Sequence, residues 1–206
     1  MINFDNIFVR KIIIILIVLG LIIIVYYFLK PNNIKIEKKE TMTPIFQQTK
    51  NKLPKKLILT SPVFEHMGKI PVKYTCDGQK INPPLEIFGV DDNAKSLVLI
   101  MEDPDVPKNI RADGMWDHWL KFNLPANLKE IKEGIDPGGI SGLGTSKTLK
   151  YVGPCPPDKE HRYLFRLFSL DIILDLKEGA MKFQIEEAMK NHILQEVVLI
   201  GVYERE

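Results

Sequence analysis

The longest apolar stretch of the chain lies near its beginning, at Ile12–Leu29, where 18 consecutive residues carry no charge. A run of this length and composition is at the lower end of what a membrane-spanning helix needs. Arg10 and Lys11 precede it, but it is long for a secretory signal and no small-residue cleavage site follows. The pattern therefore predicts an uncleaved, single-pass signal anchor, a transmembrane helix at 12–29, after an N-terminal tail at 1–11.

From Leu57 onward the pattern changes to short apolar segments separated by turn residues. Seven segments are predicted to be strands: Leu57–Thr60, Ile70–Tyr74, Leu85–Phe88, Ser96–Glu102, His118–Leu124, Tyr163–Leu170 and Val197–Tyr203. The apolar centre of Ser96–Glu102 is continuous, which is typical of a strand buried on both faces. One amphipathic helix is predicted at about Lys182–Leu194. Many short strands with one late helix predict a mainly β fold, a β-sandwich, over residues 57–206.

Charge divides the chain at about residue 56. Residues 30–56 form a Lys-rich linker with eight Lys and two Glu. Residues 1–56 together hold ten of the 28 Lys and Arg and three of the 26 Asp and Glu, which leaves 18 basic and 23 acidic residues for 57–206. A net-acidic domain argues against nucleic-acid binding, which needs a basic face.

The orientation of the anchor has two interpretations. The Lys residues after the apolar run outnumber the two basic residues before it, which by the positive-inside rule places the domain in the cytoplasm. However, a short tail before a first hydrophobic segment usually stays inside, and the two cysteines of the chain fit an oxidising compartment. We favour a membrane localisation with an extracytoplasmic domain.

Polar residues that could form a site lie at the ends of predicted strands. Asp103-Pro104-Asp105 follows the buried strand, His118 opens the next one, and His161 and Tyr163 follow the turn-rich loop 153–157. Strand ends can converge on one side of a sandwich, and the prolines at 154, 156 and 157 preset the shape of the loop. The pattern predicts a small-ligand pocket with this loop as one wall. The Gly-rich segment 134–150 lacks the Lys of a phosphate loop and is predicted to be a flexible loop beside the pocket.

Three chemistries fit these residue types. Two Asp and two His are suitable metal ligands, but no paired-ligand spacing accompanies them. Hydrolysis needs a nucleophile, and no Ser or Cys lies in a motif that marks one. Recognition of a small anion or zwitterion fits best, because imidazole, phenol and backbone N–H groups donate to phosphate or carboxylate oxygens. The carboxylates would then orient the imidazoles, raise their pKa or receive an ammonium group. No catalytic residue, metal or cofactor is expected.

Several motifs together resemble the phosphatidylethanolamine-binding protein (PEBP) family, also called Raf kinase inhibitor-like: Asp103-Pro104-Asp105-x-Pro107, Trp116-x-His118, and Tyr151-x-Gly153-x-x-Pro156-Pro157 ending in His161-Arg162-Tyr163. Two further motifs look like its bacterial and archaeal YbhB/YbcL-like branch: Tyr74-Thr-Cys-Asp77-Gly78 and Asn82-Pro-Pro-Leu85. The match spans about Leu57–Tyr203. The resemblance implies a PEBP-like antiparallel β-sandwich with an anion pocket at one end, to which this chain adds an N-terminal membrane anchor.

By matching position, the resemblance assigns the ligand pocket to nine residues: Asp103, Pro104, Asp105, His118, Gly153, Cys155, Pro156, His161 and Tyr163. Cys155 stands where many members carry glycine, so its side chain is expected to affect what can enter the pocket. Cys76 and Cys155 would both border the pocket, either joined in a disulfide or as two small buried thiols.

The function that this implies is that of a membrane-tethered, non-enzymatic binding domain for a small phosphorylated or zwitterionic ligand, such as a phosphoethanolamine-like headgroup or phosphate. One alternative is a protein-interaction module that inhibits a protease or kinase through the same pocket, and another is a hydrolase. A homodimer is compatible with the sequence.

Overall fold

The computed structural model describes residues 4–29 and 55–206. The chain divides into two units, Met1–Asn51 and Lys52–Glu206. Helix α1, at Phe4–Leu29, is the described element of the first unit, so the helix begins within the predicted tail rather than at Ile12. Judged on the described residues, no helix is both long and apolar enough to cross a membrane. The anchor stays a prediction, and residues 30–54 of the predicted linker lie outside the described residues.

The second unit is mainly β. Its described elements are nine strands and one α-helix: β1 (Ile58–Thr60), β2 (Gly68–Lys69), β3 (Leu85–Phe88), β4 (Ser96–Asp103), β5 (Trp116–Pro125), β6 (Glu130–Ile131), β7 (Ile140–Ser141), β8 (His161–Leu170), α2 (Lys182–Met189) and β9 (Ile193–Tyr203). The strands form a three-stranded sheet in the order β1-β3-β6 and a six-stranded sheet in the order β2-β9-β8-β4-β5-β7. All pairs are antiparallel except β2 with β9, which is parallel.

Two hydrophobic layers cover the two faces of the six-stranded sheet. Leu97, Leu99 and Met101 of β4 belong to the layer that also contains Leu85 and Ile87 of the small sheet. The alternate residues Val98 and Ile100 belong to the layer that contains Ile185 and Met189 of α2. Every residue of β4 is buried, so the prediction of a strand covered on both faces is confirmed.

Most predicted strands differ from the observed ones by a few residues at their ends, and two predicted elements differ more strongly. The segment predicted as a strand at Ile70–Tyr74 forms a single 3-10 turn at Val72–Tyr74, because Pro71 lacks the backbone N–H that would continue a strand ladder. The late helix ends at Met189 rather than at Leu194. Asn191 adopts a positive φ of 64° and Ile193 already begins β9, and a left-handed residue of this kind commonly terminates a helix.

The order of strands places three chain segments at one end of the large sheet. Strand β4 lies between β8 and β5 and runs antiparallel to both. Asp103, the last residue of β4, pairs in register with Trp116, the first residue of β5. Since β8 begins at His161 and its Leu164 pairs with Glu102, the start of β8 lies at the same end. The predicted convergence of these strand ends is therefore observed.

Candidate functional site

A cavity of about 290 Å³ opens at this end of the sheet. Ten residues line it: Asp103, Val106, Ile110, Trp116, His118, Ser146, Val152, Gly153, Cys155 and Pro157. Four of them, namely Asp103, His118, Gly153 and Cys155, were predicted as site residues from the sequence. The described lining is mostly apolar around the carboxylate of Asp103 and the imidazole of His118, which is the usual composition of a small-ligand site.

One ring nitrogen of His118 is hydrogen-bonded within the protein. Its Nδ1 lies 2.8 Å from the backbone oxygen of Val152, and since a carbonyl oxygen only accepts, Nδ1 carries the proton. Burial lowers the pKa of His118, and it outweighs the opposing effects of that hydrogen bond and of the Asp103 charge. The imidazole is thus neutral near pH 7, and its Nε2 presents a lone pair.

His161 is fully buried, and both of its ring nitrogens contact carboxylates. Nδ1 lies 2.7 Å from Oδ2 of Asp103 and Nε2 lies 2.9 Å from Oδ1 of Asp158. Burial alone would lower the pKa of His161, but the two hydrogen bonds outweigh it and raise the pKa. His161 is therefore an imidazolium that orients Asp103. Its two nitrogens have no N–H left for a ligand, and the ring is not part of the described cavity lining.

Tyr163 is buried directly behind His118. The two rings pack edge to face, with centroids 5.3 Å apart. Within the described part of the chain, the buried hydroxyl of Tyr163 has no hydrogen-bond partner. Burial, followed by the charge of Asp103, raises the pKa of this phenol, so it stays protonated. An unsatisfied buried donor beside a cavity is uncommon and points to a place where a bound group completes the hydrogen bonding.

The other predicted site residues do not line the described cavity. Asp105 forms a two-pronged ion pair with Arg162, with Oδ1–Nη2 and Oδ2–Nε distances of 2.7 and 2.8 Å. This pair lowers the pKa of Asp105 and raises that of Arg162. Pro104 and Pro156 lie next to lining residues in the sequence and shape the backbone. The structure thus separates residues that line the cavity from residues that support it.

The loop 153–157 packs closely against the segment before Cys76. A Cβ atom on Gly153 would lie 2.5 Å from the backbone oxygen of Tyr74, so only glycine fits there without movement of the backbone. The N–H of Cys76 donates to the oxygen of Pro154. Cys76 and Cys155 are joined in a disulfide with Cα atoms 5.4 Å apart, one of the two alternatives that the sequence left open. Because Cys155 lines the cavity, the disulfide forms part of its wall.

Sequence reasoning missed five lining residues: Val106, Ile110, Trp116, Ser146 and Val152. Pro157 was expected only as part of the loop 153–157. Ser146 belongs to the Gly-rich segment that was expected beside the pocket, and Nε1 of Trp116 donates to its Oγ over 3.3 Å. Asp158, the second partner of His161, was also missed. Its position three residues before His161 was the available signal. Within residues 4–29 and 55–206, no group of His, Cys, Asp and Glu is arranged to hold a metal ion.

The sequence model of the phosphatidylethanolamine-binding protein family matches residues 60–204, which is more than half of the chain. The chain belongs to the phosphatidylethanolamine-binding protein family. Among curated relatives it is similar to a UPF0098 protein of Chlamydia pneumoniae, at 48% identity over 71% of this chain and 98% of that protein. A UPF0098 protein of Methanothermobacter thermautotrophicus is 45% identical over 71% of this chain and 98% of its own length.

Solved structures agree with this assignment. A PEBP homologue from Chlamydia trachomatis is 44% identical to this chain, superimposes with a TM-score of 0.72 and is matched over 74% of this chain and 99% of its own. YbcL of E. coli, described as a member of the mammalian PEBP family, gives a TM-score of 0.66 at 21% identity, over 73% of this chain and 99% of its own. At that identity the likeness concerns the fold alone. The predicted PEBP-like, mainly β fold is confirmed.

Proposed function

We propose that the domain binds a small phosphorylated or zwitterionic ligand in the cavity beside His118 and Asp103. The observation that carries this proposal is the combination of Asp103 and His118 in a mostly apolar wall with the unsatisfied hydroxyl of Tyr163 behind them. A volume of about 290 Å³ is at the lower limit of common ligand pockets. It suits a headgroup such as phosphoethanolamine, or phosphate, rather than a whole lipid.

The cavity is proposed to bind and not to catalyse. A nucleophile needs an adjacent base to activate it. The Nε2 of His118 is a possible base, but among the described residues no hydrogen bond joins it to Ser146 or Cys155. Cys155 is in a disulfide, and Ser146 accepts a hydrogen bond from Trp116. Both nitrogens of His161 are bound to carboxylates. We also propose that this chain belongs to the YbhB/YbcL-like branch of the family.

The domain is further proposed to be tethered to a membrane and to lie outside the cytoplasm. The tether rests on the uncharged run 12–29 and on the apolar side chains of α1 that are exposed, such as Ile14, Leu16 and Ile17. An apolar helix surface of this kind needs an apolar environment. The Cys76–Cys155 disulfide supports the location, because disulfides persist mainly in oxidising compartments.

Isothermal titration calorimetry of phosphoethanolamine and of inorganic phosphate tests the binding site. We expect His118→Ala to weaken binding at least about tenfold, corresponding to the loss of one hydrogen bond to a charged group. His192→Ala is the matched control, because His192 is half-exposed and pairs with Asp171 at the surface. Unchanged affinity in His118→Ala would refute the site. If no ligand binds but the wild type inhibits a protease or kinase, the protein-interaction function replaces this one.

A further inference from the structure

The described wall of the cavity presents hydrogen-bond acceptors at both of its ionisable side chains, Asp103 and His118. Its one charged residue is the carboxylate of Asp103, and none of the lining residues that the structure describes is Lys or Arg. Behind Asp103, the imidazolium of His161 is shared with a second carboxylate, that of Asp158. These three groups together carry one net negative charge. An anion without a proton is therefore repelled rather than attracted by this wall.

His118 adds an acceptor to the wall and not a donor. Its Nδ1–H donates to the backbone oxygen of Val152, which leaves the unprotonated Nε2. The charged groups that act on the ring are Asp103 from β4, Asp117 from its own strand and His161 from β8, and the uncharged Tyr163 packs against it. Two carboxylates against one imidazolium favour a proton on Nε2, but the burial of the ring opposes it more strongly.

The loop contributes little to the binding of an anion through its backbone. Pro154, Pro156 and Pro157 have no N–H, so that only Gly153 and Cys155 within 153–157 have an amide proton to donate. Anion sites in loops normally depend on several consecutive N–H groups. A phosphate in this cavity therefore meets two acceptors, Asp103 and Nε2 of His118, beside donors such as the hydroxyl of Ser146. A hydrogen on the phosphate itself would let the phosphate donate to one of these acceptors.

We propose that the cavity selects phosphomonoesters in their singly protonated form, whose P–OH donates to Nε2 of His118 or to the carboxylate of Asp103, and that it discriminates against phosphodiesters. This inference rests on the proposed function and specifies its ligand class. A phosphomonoester has a second pKa of about 6 and can keep one hydrogen near neutral pH. A phosphodiester has no such hydrogen. The free monoester is thus favoured over an intact phospholipid headgroup, which is a diester.

The test compares phosphoethanolamine, a monoester, with glycerophosphoethanolamine, a diester, by titration calorimetry on the full chain. At pH 5.5 we expect the monoester to bind at least about tenfold more tightly than the diester. Between pH 6.5 and 8 the affinity for the monoester should fall about tenfold per pH unit, because binding then takes up one proton. Titration at pH 7.5 in two buffers of different ionisation enthalpy measures that uptake directly, and it should be close to one.

One variant and its control test whether Asp103 causes the preference for the monoester. Asp103→Asn replaces a carboxylate oxygen by an amide donor, so it should strengthen diester binding and lower the monoester preference at least about threefold. Glu187→Gln is the control, since it removes one carboxylate from the exposed side of α2 and should leave the preference unchanged. If Asp103→Asn does not fold, the proton uptake of the wild type still decides.

The outcomes separate this inference from the proposed function. Equal affinity for the two esters at pH 5.5, or binding of the monoester at pH 7.5 without proton uptake, would overturn the monoester preference while leaving the binding site in place. Failure of both esters and of inorganic phosphate to bind between pH 5.5 and 8 would overturn the proposed function and this inference with it.

Discussion

His118 and His161 show how neighbours determine the protonation of two residues of the same type. His118 has a carbonyl on one nitrogen and no carboxylate bonded to the other, so that burial decides and lowers its pKa. His161 is also buried but has a carboxylate on each nitrogen, and its pKa is raised. His118 can therefore accept a hydrogen bond from a ligand, whereas His161 carries a positive charge. This difference divides the roles at the site between ligand contact and the positioning of Asp103.

The positive charge of His161 predicts that the free energy of unfolding depends on pH. A raised folded pKa means that the stabilisation by His161 is fully present below the unfolded value of about 6.5 and is lost as the pH rises through the folded pKa. His161→Gln should lower the free energy of unfolding by about 3 kcal/mol at pH 5.5, the usual cost of breaking a buried ion pair. The loss should be smaller at pH 9, as measured by urea denaturation.

The surface pair of His192 and Asp171 is the natural control for this experiment. Its nitrogen-to-oxygen distance of 2.9 Å is close to that of the buried pair, but both side chains are more than 40% exposed. His192→Gln should change the free energy of unfolding by less than about 1 kcal/mol at either pH. A cost for His161→Gln that is the same at pH 5.5 and pH 9 would contradict the assigned imidazolium.

The sequence allowed the residues of the site to be predicted only where they mark the ends of strong strands. Asp103 and His118 flank long apolar segments, and the idea that a carboxylate orients an imidazole is realised in Asp103 and His161. Asp158 was missed because an acidic residue in a polar loop looks like an ordinary surface residue, and its spacing of three residues from His161 was the one signal. His161 and Tyr163 were predicted at the pocket, and the structure places them behind the described lining because residues of one strand end lie at different depths.

At the scale of elements, the strands of three or more residues were predictable and the two-residue strands were not. Strand β4 has eight buried residues in succession, and its apolar pattern is unambiguous. Strands β6 and β7 have two residues each, too few for any periodicity. Their existence depends on the partners that they reach in the fold, β3 for β6 and β5 for β7. Pairing of this kind is a property of tertiary structure that local patterns do not contain.

The Cys76–Cys155 disulfide joins two loops that are far apart in the sequence. Cys76 and Cys155 are separated by 79 residues, and closing a loop of that length restricts the unfolded chain by about 4 kcal/mol in the chain-entropy account. Replacing both cysteines by serine should lower the free energy of unfolding by about that amount in urea denaturation. A dithiol reductant should destabilise the wild type and leave the double variant unaffected. A loss below about 1 kcal/mol, or equal sensitivity of both proteins to reductant, would show that the disulfide has little effect on stability.

At the scale of the whole molecule, the two units have different chemical character. The first 56 residues carry an excess of seven positive charges and an apolar helix, whereas the β domain is net acidic and has two hydrophobic layers of its own. A domain with its own core is expected to fold without a neighbour. Stability and location are thus expected to be encoded separately, the first by residues 52–206 and the second by the residues before them.

Truncation tests this separation. A protein limited to Lys52–Glu206 should melt within about 3 °C of the full chain, because no core residue is removed. The full chain should remain with membranes after an alkaline carbonate wash, and the truncated protein should appear in the supernatant. Leu16→Asp together with Ile17→Asp is the matched control: each charge disfavours membrane insertion by about 3 kcal/mol, so this full-length variant should also be released. Retention of the truncated protein by membranes would show that the β domain itself holds the protein there.

Protease added to intact cells should degrade the β domain of the wild type if this domain lies outside the cytoplasm.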